Sequence, residues 1–158
     1  MRVHQYVYFA LASSQVPAAD ITARLGIKPD EVTIRGSRHT EPPVPVCHTW
    51  RIVCRKPGLT VDEQINQILD RLYAHAYRIG ELATELDQID GSPGSSVLQV
   101  VRVFEHPDGE DADLTSPAED LQILPGQHQL LGWHLETRAL EFLRRTHAEL
   151  DIDEYAYG

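Results

Sequence analysis

Between residues 3 and 11 the chain reads VHQYVYFAL, with Val3, Val7, Phe9 and Leu11 at one parity and His4, Tyr6, Tyr8 and Ala10 at the other. A period of two is the mark of a strand, whose successive side chains point to opposite faces. Residues 47–55, CHTWRIVCR, alternate in the same way, His48, Trp50, Ile52 and Cys54 against Thr49, Arg51 and Val53. Residues 96–104, SVLQVVRVF, are apolar at both parities, as expected of a central strand covered on both faces. A sheet is therefore required.

Helical signals fill the gaps. Pro17, then Ile21 and Leu25 four apart, then Gly26, predict a short helix closed by a left-handed glycine, with Ile27 folding back on Ile21. Thr60 and Glu63 form a capping box ahead of Val61, Ile65, Ile68, Leu69, Leu72, Ala76, Ile79, Leu82 and Leu86, which keep helical spacing. One long or two consecutive helices are expected over 61–87, with Gly80 a candidate interruption. A short strand is expected at 127–131, a helix at 136–147 with Leu140 and Leu143 inward, and a closing strand, LDIDEYAY, with Leu150 and Ile152 inward. Residues 30–46, rich in proline, and the acidic stretch from Glu105 to Asp120 are expected as loops, with a short helix from Ser116 and Pro117.

A length of 158 residues suits a single α+β domain over 1–158. The order of elements suggests a ferredoxin-like sandwich: a mainly antiparallel sheet with helices on one face, in two pseudo-symmetric halves. Val7 to Ala12 is too short an apolar run for a secretory leader, and no stretch approaches the ~20 apolar residues that cross a bilayer. Cys47 and Cys54 would lie roughly 23 Å apart along one strand and on opposite faces, so free thiols and a cytoplasmic location are expected.

The formal charge of −10 is unevenly spread. Residues 1–56 carry eight basic and four acidic residues, whereas the remainder carries six basic and twenty acidic. An acidic balance argues against nucleic acid, whose affinity comes mainly from Lys and Arg at phosphates. Seven acids between Glu105 and Asp120, with no Lys or Arg among them, form a candidate field for a basic partner.

YVYFALASSQVPAADITARLGIKP near the start, the RG at 35–36 ahead of a strand bearing Trp50, and the terminal LDIDEY together resemble the bacterial domain of unknown function 4279 family. The resemblance spans nearly the whole chain, with Arg35, Gly36, Trp50, Asp153 and Tyr155 at characteristic positions. It implies an intracellular α+β domain and carries no agreed activity or catalytic set.

Strand parity nominates a surface. If helices cover the face bearing Val7, Phe9, Trp50 and Ile52, the opposite face presents His4, Tyr6, Tyr8, Thr49, Arg51, Asp151, Asp153, Tyr155 and Tyr157. Four of the six tyrosines gather there. Tyr anchors protein interfaces by burying a large ring at low entropic cost, so Tyr6, Tyr8, Asp153, Tyr155 and Tyr157 are the expected partner contacts. A second copy of the chain, or the acidic loop, is an alternative cover.

The RGSRH cluster offers a second candidate. Arg35, Arg38 and His39, with Arg51, could direct donors at a phosphate or carboxylate, while internal pairing of these arginines is the competing reading. Metal spacings such as CxxC or HExxH and the GxSxG elbow are lacking, so neither metal, cofactor nor catalytic residue is expected. The sequence thus favours a non-catalytic module that binds a protein, one version being an immunity-type protein that masks a basic toxin. The alternative is a domain, enzymatic or not, that binds a small molecule or anion.

Overall fold

The computed structural model describes residues 2–37, 44–105 and 132–157. The alternating segments become strands at the expected places: β1 (Arg2–Ser13), β3 (His48–Cys54) and β4 (Ser96–Glu105). β1 lies between the other two, antiparallel to each, with Phe9 opposite Ile52 on one side and Leu98 on the other. A three-residue strand, β2 (Glu31–Thr33), pairs antiparallel with β3, and β5 (Glu149–Tyr157) pairs parallel with β4. The resulting order is β2-β3-β1-β4-β5.

The α+β class and the mainly antiparallel sheet are those expected. The strand order does not give the split βαβ units of a ferredoxin-like sandwich, because β1 and β3, joined through a helix, are direct neighbours. Nor do the halves match, since β1 and β3 are antiparallel whereas β4 and β5 are parallel. Parallel neighbours need a long crossover, here the residues between Glu105 and Glu149.

The four described α-helices pack on the parity set by Val7, Phe9 and Leu11. α1 (Ala18–Leu25) buries Ala18, Ile21 and Leu25 and ends at Gly26, whose φ of 69° is the left-handed cap the sequence predicts. The capping box of Thr60 and Glu63 forms, starting α2 (Val61–Leu72). The helical run breaks at a 3-10 turn, Tyr73–His75, not at Gly80, and α3 (Ala76–Asp90) runs through that glycine. A Cβ at Gly80 would overlap the carbonyl oxygen of Arg145, so the glycine serves close packing of α3 against α4 (Thr137–Thr146).

α4 inserts Phe142 edge-on against Phe9, ring centroids 5.4 Å apart, where it joins Trp50, Ile52, Ile65, Leu69 and Ile79 in one core. Its inward stripe is Ala139, Phe142 and Thr146, while Leu140 is 52% exposed, contrary to expectation. Ile152 has the helix-side parity but stands 43% exposed, because β5 lies at the rim of the sheet. The expected strand at 127–131, the short helix from Ser116, and the acidic stretch after Glu105 lie outside the described residues.

Candidate protein-binding face

The pairing register assembles the face opposite the helices. Tyr8 stands across from Val53 and Gln99, Ala10 from Arg51 and Val97, and Tyr6 from Val101. Beyond β4, Asp151, Asp153, Tyr155 and Tyr157 stand beside Gln99, Val101, Val103 and Glu105. His4, Tyr6, Tyr8, Thr49, Arg51, Asp151, Asp153, Tyr155 and Tyr157 therefore share one sheet face, and no described helix lies on it.

The aromatics are ordered in pairs. Tyr6 and Tyr8, two residues apart on β1, stack with centroids 6.3 Å apart, and Tyr155 and Tyr157 on β5 stack at 6.5 Å. Arg51 lies 4.6 Å from the Tyr8 ring centre and Arg55 4.0 Å from that of Tyr6, both within cation–π range. Arg55 is anchored in turn by Glu31 of β2, donating through Nε and Nη2 at 3.2 and 3.1 Å. Tyr6 and Tyr8 are half-buried, whereas Tyr155 and Tyr157 are exposed.

The electrostatics are mixed. Burial raises the Tyr8 phenol above its ordinary value, Arg51 opposes this, and the negative fields of Tyr6, Asp153 and Asp151 add to it. Tyr155 is also raised, first by the adjacent Asp153 carboxylate and then by desolvation. Both phenols therefore stay neutral and able to donate hydrogen bonds throughout the physiological range.

Three polar atoms of this face are hidden without a hydrogen-bond partner among the described residues: Thr49 Oγ1, Arg51 Nε and Gln99 Nε2. A buried orphan of this kind costs about 1–3 kcal/mol. A cleft of about 180 Å³ opens where β3 leaves β1, walled by Tyr6, Arg55, Leu59 and Gln64, and on the helix side one of about 220 Å³ lies between α1 and α3. Typical ligand pockets enclose roughly 300–1,000 Å³.

The anion set is dispersed where it is described. Arg35 Nη1 donates to the Ser14 carbonyl at 2.6 Å, and its backbone N–H to His48 Nδ1 at 3.2 Å. Arg51 instead belongs to the tyrosine face, while Arg38 and His39 lie outside the described residues. Sequence reasoning passed over Arg55, Glu31 and Gln99. The parity of β3 continued one step beyond Cys54 points to Arg55, and Gln99 is a polar interruption in the apolar run of β4. Glu31 needed the strand β2, which is too short to show a period.

Among the described residues no cluster of three or more His, Cys, Asp or Glu could hold a metal, and no helix is long and apolar enough to cross a membrane. Cys47 and Cys54 are free. Neither the curated proteins nor the solved structures give a match to this chain. The family profile of a domain of unknown function, DUF4279, matches residues 3–157, and the chain belongs to that family.

Proposed function

We propose that this protein is a non-catalytic binding module that receives a protein partner on its tyrosine-bearing sheet face. The observation that carries the reading is the convergence of Tyr6, Tyr8, Tyr155 and Tyr157, with Arg51 and Asp153, on a face that no described helix occupies. Tyr and Arg are the residues most enriched where interfaces concentrate their binding energy. The small clefts favour an extended contact over an enclosed substrate site. One concrete version is an immunity-type role, in which an acidic domain masks a basic toxin, and the surplus of acids after residue 56 suits such a partner.

Affinity capture with the wild-type chain, compared with the Tyr8→Ala/Tyr155→Ala variant, tests this. A partner retained by the wild type should be lost by at least tenfold from the variant, with the helix-side variant Arg138→Ala as a control. Equal capture by all three would sink the reading. The second reading, an anion or small molecule at the same face, is favoured by the unpartnered donors Arg51 Nε, Thr49 Oγ1 and Gln99 Nε2. Calorimetric titration with inorganic phosphate and citrate checks it, and a heat signal lost in Arg51→Ala is the expected result.

A further inference from the structure

We propose that the outer edge of β5 is a docking edge for an extended basic segment of a partner, which joins the sheet as a further strand. This rests on the protein-binding reading above and names its mode and the partner's chemistry. β5 is the last strand in the order, and among the described residues it is paired with β4 alone. Seven of its nine residues are exposed, whereas β2 at the opposite rim is only three residues long. Long exposed edges are templates for pairing, and proteins usually blunt them with charged side chains, above all Lys, or with Pro, bulges or short length. β5 has no Lys or Pro, and its charges, Glu149, Asp151, Asp153 and Glu154, are all acidic, so they repel another acidic edge and leave a basic one attracted.

Those acids specify the occupant. Glu154 pairs with Arg102 at 2.7 Å, but among the described residues no ion pair reaches Glu149, Asp151 or Asp153. A strand laid beside β5 would bring its Cβ atoms to about 4.5–5.5 Å from those of Asp151 and Asp153 at directly opposed positions. On the tyrosine face it would need Lys or Arg beside Asp151 and Asp153. On the helix face it would need an apolar residue beside Ile152, which is 43% exposed. The fitting segment is an amphipathic strand, basic on one face and apolar on the other.

A second copy of the chain fits poorly. Antiparallel self-pairing that keeps the two faces aligned can be centred on residue 152, 153 or 154. The first sets Asp151 against Asp153 twice, the second Asp153 against itself, and the third Glu154 against itself. Like charges directly opposed are destabilising, so every central register is penalised.

The test uses the full chain and a capped nine-residue peptide of alternating Lys and Val. A control peptide of the same sequence has N-methyl groups along its central backbone, which removes the ladder hydrogen bonds and keeps the charge. The first should bind at least tenfold more tightly by fluorescence anisotropy and should slow amide hydrogen exchange at β5. The Asp151→Lys/Asp153→Lys variant should lose at least tenfold for the Lys–Val peptide and accept a Glu–Val peptide instead. Asp151→Asn/Asp153→Asn provides the milder version if reversal disturbs folding. Equal binding of the two Lys–Val peptides, or protection spread away from β5, would overturn the proposal, as would concentration-dependent protection of β5 in the free protein. If Tyr8→Ala/Tyr155→Ala abolishes partner capture while neither peptide protects β5, the face reading survives and strand addition falls.

Discussion

Gly80 occupies the middle of α3, where glycine costs about 0.5–1 kcal/mol relative to alanine on propensity alone. Packing reverses that preference, because any Cβ there meets the backbone oxygen of Arg145. Gly80→Ala should therefore destabilise the protein by about 1–3 kcal/mol through forced separation of α3 and α4, measured by urea denaturation. From sequence the residue could be flagged only as a possible break, since the helix that crosses it lies some sixty-five residues further on. The tyrosines give a pH signature. Burial holds Tyr8 neutral above its ordinary range, and Asp153 does the same for Tyr155. The folded state therefore binds more protons than the unfolded chain above about pH 10, so stability falls as pH rises from there. Absorbance near 295 nm should show two phenols ionising above the ordinary phenol value of about 10. Tyr8→Phe should remove one of them.

Among the elements, β1, β3 and β4 were legible because each is flanked by strands on both sides, so parity alone decides what is buried. β5 was legible as a strand but not in its burial. Ile152 has the inward parity, yet no described strand lies beyond it at the rim, and 43% of its surface remains exposed. β2 was invisible, since three residues cannot display a period and prolines surround it. α4 shows how an amphipathic stripe can be misjudged. Leu140 and Leu143 were the expected inward pair; Leu143 does pack against the core, but the crossing of α3 selects the face that holds Phe142 and leaves Leu140 exposed. Phe142→Ala should cost about 3–5 kcal/mol, read by thermal melting, because it empties the place against Phe9. Leu140→Ala should be close to neutral.

Across the described residues, the sheet's two faces divide the labour: one holds the core with the described helices, the other gathers tyrosines, arginines and acids. That division was readable from parity. The order of strands was not, because it depends on which non-local pairings close, and the parallel pairing of β4 with β5 gives no local signature. The charge imbalance likewise located acids along the chain without revealing that several would line one rim. The parallel pairing also bears on biosynthesis. Arg102 and Glu154, which meet across β4 and β5, are 52 residues apart in the chain, so β4 emerges long before its last neighbour. Until then β4 offers Val97, Leu98, Val100 and Val101 along a bare edge, a segment with the composition of an aggregation hazard. Deleting residues 149–158 should accordingly drive the protein into inclusion bodies on expression, seen as loss of soluble yield. β5 then acts as a terminator: it seals an adhesive strand and turns a row of carboxylates outward in its place.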